Sequence, residues 1–190
     1  MINNEKKICI IGTGGFGRET LLCIIDKIGA SDVKVEEAAC FMVEDKNLVE
    51  SKIMGVRVIP QSKFEPKLYD VVVAIGDPST RKKVVESLPN ETTFKTVIHP
   101  NAIISKWVQI GEGSIITAGV SITCNIKIGK HSQLNLNTTI GHFVNIGKKC
   151  FVGSSAHITK NVKSNSVVVQ NDSKKISFDP VKFLEINNFK

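Results

Sequence analysis

Along the second half of the chain an aliphatic residue returns at every sixth position. The series is Ile98, Ile104, Ile110, Ile116, Ile122, Ile128, Leu134, Ile140, Ile146, Val152 and Ile158. A small or β-branched residue stands two positions ahead, as in Ala102, Val108, Ser114, Val120, Ile126, Ser132, Thr138, Val144, Cys150 and Ala156. A helix repeats near 3.6 residues and a simple strand at 2, so neither produces this period. Six residues fit a short strand followed by a bend, and three such units close one coil of a prism. The aliphatic side chains then stack inward. Glycine follows the aliphatic residue at Gly111, Gly129, Gly141, Gly147 and Gly153, which reads as a supply of tight corner backbone. The whole run predicts a parallel β-helix of about three and a half coils. The period alone leaves the hand of the coil open.

The first half carries a different pattern. Lys7 to Ile11 reads as a buried strand, and Gly12-Thr13-Gly14-Gly15-Phe16-Gly17 follows it. A helical pattern then runs from Arg18 to about Ile28. Strand, G-x-G-x-x-G and helix in that order is a phosphate-loop arrangement, in which backbone N–H groups approach a diphosphate at a helix N-terminus. Glu37 to Val43 reads as a second strand ending at Glu44-Asp45. Asp70 to Ile75 is a third, with Gly76-Asp77 at its carboxyl end. Pro78 to Leu88 reads as a helix, and Phe94 to Ile98 as a last strand leading through His99-Pro100 into the first coil. About 95 residues make only half of a dinucleotide-binding fold, and the acidic pair lies further on than the usual ribose-binding acid. The unit therefore fits a mononucleotide-type ligand better than NAD. Without a ligand, the same glycines would serve only as a tight turn.

Composition narrows the picture further. The net charge is +7, but the lysines are scattered and the aromatics few, so the basic stripe with stacking residues of a nucleic-acid binder is missing. No apolar run approaches the length of a membrane span, and no signal-peptide pattern opens the chain. A cytoplasmic protein is expected. The five cysteines (Cys9, Cys23, Cys40, Cys124, Cys150) include no C-x-x-C pair. Neither a disulfide framework nor a cysteine zinc site is expected, and no metal is.

Half a Rossmann unit joined to a hexapeptide helix resembles the sialic acid O-acetyltransferase and bacillosamine-type sugar N-acetyltransferase family. The matching stretches are IGTGGFGRE, VVVAIGDPSTRKK, IHPNAIIS, LNLNTTIGHFVNIG and SNSVVVQNDSKKI. The resemblance implies an α/β half-Rossmann domain over residues 1–97 and a left-handed β-helix over 98–172, with a tail from 173 to 190. It implies a homotrimer with acetyl-CoA bound in clefts between neighbouring coils and a nucleotide-linked sugar on the N-terminal domain. The family's general base maps onto His142 and its asparagine onto Asn135. The sugar-nucleotide contacts map onto Gly12, Thr13, Gly14, Gly15, Phe16 and Gly17, onto Glu44 and Asp45, and onto Gly76 and Asp77. Phe151, Thr159 and Lys160 map onto the acetyl-CoA side.

Two departures stand out. An acidic residue commonly follows the histidine, and here Phe143 does. In some members a second histidine stands nine residues on, and here the position is Phe151. Cys124 and Lys160 lie 18 residues either side of His142, so they should stack with it on successive coils. His99 reads as structural, and His131 and His157 as surface positions. The resemblance implies acetyl transfer to the amine of a nucleotide-linked amino sugar for surface-glycan synthesis. The alternatives are O-acetylation of a sugar hydroxyl, or a non-catalytic trimeric nucleotide-sugar-binding protein.

Overall fold

The computed structural model describes residues 6–29 and 33–169. The expected tail from 173 to 190 lies outside them. Strand β1 (Lys7–Ile11) runs into helix α1 (Gly15–Ile28), and a short helical turn, α2 (Val35–Ala38), leads into β2 (Ala39–Val43). The hairpin β3 (Lys52–Ile53) and β4 (Val56–Pro60) follows, then β5 (Tyr69–Val73), α3 (Pro78–Ser87) and β6 (Thr93–Phe94). The sheet order is β3-β4-β2-β1-β5-β6, parallel throughout except for the β3–β4 hairpin. From β1 the chain adds β2 and β4 on one side, then crosses back to add β5 on the other. The order therefore reverses between β1 and β5, and ligands of such sheets bind at the carboxyl ends of the strands flanking that reversal. The glycine loop after β1 and Gly76 after β5 meet there.

The sequence pattern missed the β3–β4 hairpin, whose apolar residues are interrupted by Lys52, Gly55 and Arg57. It also joined Phe94 to Ile98 as one strand. The structure divides that stretch: Thr93–Phe94 closes the sheet, and Val97–Ile98 opens the first coil. Helix α1 begins three residues earlier than the pattern suggested, within the glycine loop itself.

From Val97 the chain winds into a left-handed parallel β-helix with three faces. The first face stacks Val97–Ile98, Ile115–Ile116, Gln133–Leu134, Phe151–Val152 and Val167–Val168. The second stacks Ile103–Ile104, Ser121–Ile122, Thr139–Ile140 and His157–Ile158, and the third Val108–Ile110, Ile126–Ile128 and Asn145–Ile146. All eleven aliphatic positions lie in these strands, and from Ile116 onward they are buried with the small residues Val120, Val144, Cys150 and Ala156 in one continuous core.

The register is 18 residues per coil until the fourth. There Ile146 pairs with Val162, and Phe151 with Val167, an interval of 16. Val162 thus completes a fourth coil that is two residues short, and a fifth begins at Val167. The sequence series ended at Ile158 because the period breaks there.

The corners correct one expectation. The left-handed backbone conformation falls three residues after the aliphatic position, at Gly113, Gly119, Asn125, His131, Asn137, Phe143, Lys149 and Ser155. The glycines directly after the aliphatic residues do not adopt it. A Cβ on Gly111 would lie 2.5 Å from the Lys130 nitrogen, and one on Gly129 2.5 Å from the Gly147 carbonyl carbon. Those glycines are needed because the next coil's backbone passes too close for a side chain.

The first face of the coil carries the sheet domain. Gln133 donates its side-chain amide to the Val73 carbonyl at 2.9 Å. Arg81, fully buried on α3, donates to the carbonyls of Ile75 and Gly76 in its own domain and of Lys149 and Cys150 in the coil. Helix α1 lies along the stack of coils. Near its C-terminal end Asp26 accepts a 2.7 Å hydrogen bond from His99 Nε2 on the first coil. His99 Nδ1 accepts from the Asn101 N–H at 3.0 Å, which leaves the proton on Nε2. At the other end of α1, Phe16 reaches Phe151 on the fourth coil. His99 is thus a junction residue, as its sequence position suggested.

Candidate functional site

The glycine loop separates into two kinds of glycine. Gly12 has φ of +110°, and a Cβ there would sit 2.8 Å from the Ala74 carbonyl oxygen. A Cβ on Gly17 would overlap the Gly12 carbonyl. These two are required by the fold. Gly14 and Gly15 meet nothing within 4 Å, and Gly14 has ordinary extended backbone with φ of −70°. Nothing in the folded chain demands glycine at either position, whereas a ligand approaching the backbone would.

The loop is also electrically suited to an anion. Gly14 caps α1 without a side chain, and the first turn contains no acidic residue. Its free N–H groups and the helix dipole favour negative charge. Arg18 is exposed beside the loop, its Nε donating to the Thr13 carbonyl at 3.2 Å.

Opposite the loop lies Phe151. Its ring packs edge-on against Phe16, centroids 6.1 Å apart, and a Cβ on Gly76 would be 3.2 Å from its Cε2. The glycine loop, Gly76 and Phe151 therefore come together where sheet and coil meet. Phe151 stands with the glycine loop and away from Thr159 and Lys160, with which the sequence had grouped it. Arg81 bonds the Gly76 carbonyl from below the surface, with its Nε unpartnered. Burial pushes its guanidinium down to about 10, while Asp77 nearby favours the charged form. A buried cation whose direct hydrogen-bond partners are all carbonyls adds positive potential beside Gly76.

The acidic residues turn out to have local partners. Asp77 caps α3, accepting from the Thr80 N–H at 2.7 Å. Hydrogen bonds from Thr80 hold its carboxyl below the usual range. Asp45 accepts from the Ser62 hydroxyl and from its N–H, and these bonds likewise depress its carboxyl. Glu44 pairs with Lys46 at 2.7 Å. All three stand at the carboxyl edge of the sheet. Asn135 is buried at the end of its first-face strand and donates to the Val152 carbonyl at 2.7 Å.

His142 occupies a different part of the molecule. It follows the second-face strand Thr139–Ile140, at the corner between second and third faces, and is exposed. That corner lies across the prism from the first face, where the sheet domain is docked. The Phe143 N–H donates to the Cys124 carbonyl at 3.3 Å, and the Gly141 N–H to the Ile158 carbonyl at 2.8 Å. Cys124, His142 and Lys160 accordingly stack on successive coils, with Thr159 beside them and exposed. One chain thus gathers the glycine loop, Gly76 and Phe151 into one group and His142, Thr159 and Lys160 into another, and keeps the two apart.

Two further features were invisible in the sequence. Glu19 on α1 has a half-buried carboxyl near Thr117 that burial raises above the usual range, with Thr117 and His99 opposing. His131, expected at the surface, is buried against Phe94 with ring centroids 4.6 Å apart. Burial, then the neighbouring Lys149, lowers its imidazole to about 4. A cavity of about 610 Å³ opens at the opposite, amino edge of the sheet, lined by Ile8, Ile24, Ile28 and Val97 with Lys27 and Lys95. It contains none of the expected site residues. Among the described residues no three His, Cys, Asp or Glu side chains cluster as a metal site would require, and no helix is long and apolar enough to cross a membrane.

Comparison with known proteins agrees with both parts of the fold. Residues 7–88 match the family described as the PglD N-terminal domain. The GDP-perosamine N-acetyltransferase of Escherichia coli O157:H7 is 29% identical over 168 residues, covering 86% of this chain and 72% of that protein. Among solved structures, the acetyltransferase domain of PglB from Neisseria gonorrhoeae FA1090 superposes with a TM-score of 0.65 at 17% identity, covering 90% of this chain and 99% of that one. A perosamine N-acetyltransferase variant from Caulobacter crescentus, solved with CoA and GDP-perosamine, gives 0.61 at 20% identity, covering 88% and 95%. The chain thus carries a PglD-type N-terminal domain on a hexapeptide coil, and over most of its length it is similar to nucleotide-sugar N-acetyltransferases.

Proposed function

We propose that the protein transfers the acetyl group of acetyl-CoA to the amine of a nucleotide-linked amino sugar, in the synthesis of bacterial surface glycan. The observation that carries this reading is the open glycine pair. Gly14 and Gly15 leave backbone N–H groups bare at a helix N-terminus where the fold itself has no need of glycine. A sugar diphosphate fits that position, and Phe151 and Gly76 would flank the sugar. The relatives act on, or were solved with, nucleotide-linked perosamine.

His142 serves as general base, with Thr159 and Lys160 on the acetyl-CoA side. The sugar amine attacks the thioester carbonyl, a C–N bond forms, and the C–S bond breaks. The imidazole takes the amine proton, and the CoA sulfur is protonated as it leaves. No covalent enzyme intermediate is required.

The protein works as a homotrimer. His142 lies across the prism from the docked sheet domain, so an amine held at the glycine loop needs the histidine of a neighbouring copy. A cyclic assembly brings the two groups of residues together. The enzyme is cytoplasmic, where acetyl-CoA and sugar nucleotides are made.

The test is thiol release from acetyl-CoA in the presence of UDP-, GDP- and dTDP-linked amino sugars. Release with at least one amino sugar, and none with its hydroxyl counterpart, is expected. Equal release with the hydroxyl sugar would make the protein an O-acetyltransferase. No release with any acceptor would leave it a binding protein.

A further inference from the structure

We infer that Phe143 positions the imidazole of His142, taking over by ring contact what a carboxylate would otherwise do by hydrogen bonding. The inference rests on the reading of His142 as the base.

Three observations carry it. First, Phe143 sits in the left-handed region, with φ of +60°. The coil imposes this conformation at eight successive corners from Gly113 to Ser155, and most of the others fill it with Gly, Asn, Ser or Lys. A bulky ring is a poor occupant, because its Cβ crowds the backbone there. Asn125, at the equivalent corner one coil earlier, shows what suits the position.

Second, within one chain the ring is 69% exposed and belongs to no core, so the chain's own packing does not repay the unfavourable backbone. Third, among the described residues the ring's one aromatic neighbour is His142. The two centroids are 5.6 Å apart and the planes stand at 88°, the edge-to-face arrangement that aromatic pairs prefer. Among the described residues the His142 side chain has no hydrogen-bond or ion-pair partner. The phenyl ring is therefore what restricts the imidazole's rotation about χ1 and χ2.

The arrangement trades backbone comfort for a held base. A base that samples several rotamers spends only part of its time within reach of the acceptor proton. Phe143 narrows that distribution without adding charge to the site.

The experiment compares Phe143→Asn and Phe143→Tyr with the wild type. Asn suits the left-handed backbone and removes the ring; Tyr keeps the ring. For Phe143→Asn the expectation is an unchanged or raised Tm, kcat lower by roughly 10- to 100-fold, and KM for both substrates within a few-fold. Phe143→Tyr should retain kcat within a few-fold. In proton NMR of the unliganded protein, the His142 ring resonances should carry a ring-current shift that Phe143→Asn abolishes and Phe143→Tyr preserves.

A Phe143→Asn enzyme with wild-type kcat, or one with a lowered Tm, would overturn the inference. So would loss of the trimer on light scattering, which would make Phe143 a subunit contact. If His142→Ala keeps full kcat while the ring-current shift is present, the ring contact stands and the reading of His142 as base is what fails.

Discussion

Phe16 at the start of α1 and Phe151 on the fourth coil stand ring edge to ring face, 6.1 Å apart at 67°. This contact fixes the height of the glycine loop on the coil stack. With Asp26 bonded to His99 on the first coil, it pins both ends of α1. Helix α1 is thus a strut along the β-helix, and its N-terminus is flanked by residues of both parts of the chain.

The two kinds of loop glycine should respond differently to substitution. Gly14→Val has room and ordinary backbone angles, so Tm should stay within a degree or two of wild type. Its KM for the sugar nucleotide should rise strongly while that for acetyl-CoA stays put. Gly17→Ala forces a Cβ into the Gly12 carbonyl and should cost about 1–3 kcal/mol or more, the range of overpacking. Thermal melts and separate KM values for the two substrates check both. An unchanged sugar-nucleotide KM in Gly14→Val would reduce the loop to a turn.

Arg81 should matter to stability out of proportion to its place in a basic stretch. Arg81→Met keeps much of the volume but leaves the carbonyls of Ile75, Gly76, Lys149 and Cys150 short of a donor. A loss of about 2–4 kcal/mol is expected from unsatisfied buried acceptors. Urea denaturation should show a lower midpoint, and Arg81→Lys should restore little, because one ammonium cannot span both parts of the chain.

His131 sets an acid limit. Its folded value of about 4 lies below the ordinary 6.5. Above pH 6.5 the imidazole is neutral in both states and contributes no pH dependence. As pH falls from 6.5 towards 4, the unfolded chain takes up a proton that the folded one refuses, and stability declines. His131→Asn suits the left-handed backbone at this corner, where φ is +56°. In that variant the fall in Tm between pH 6.5 and 4 should be shallower than in wild type. An equal slope would assign the acid sensitivity to other groups.

Much of the coil was legible because each of its eleven units repeats one demand, an aliphatic side chain pointing into a narrow prism. What the repeat could not tell was why glycine follows. Gly111 and Gly129 are excluded from carrying side chains by a backbone 18 residues away, while the positive φ falls on Asn125, Phe143 and Lys149. A single sequence shows the residue and not which constraint selects it. The glycine loop was legible for the same local reason. The docking was not. Arg81 looked like one of three consecutive basic residues, and Gln133 like any polar repeat position, because their partners lie 60 to 69 residues away. His131 looked like a surface corner until Phe94 covered it.

The histidines should separate by function. His142→Ala should lower kcat by roughly 10²- to 10⁴-fold with KM nearly unchanged, the usual share of a general base. His157, hydrogen-bonded to Thr139 at 2.6 Å on the exposed second face, should tolerate alanine within a few-fold. Steady-state kinetics on one acceptor decide between them.

The most direct measurement mixes two crippled chains. Gly14→Val lacks a usable glycine loop and His142→Ala lacks the base, so each alone should be nearly inactive at low sugar-nucleotide concentration. Unfolded together and refolded at equal amounts, they should form mixed trimers. Random assembly pairs an intact loop with an intact histidine at about one site in four, so acetyl transfer should return to roughly a quarter of the wild-type rate. Activity that stays at the level of the separate variants, in trimers shown to be mixed, would mean that loop and histidine serve within one chain or do not serve one reaction, and would contradict the shared site.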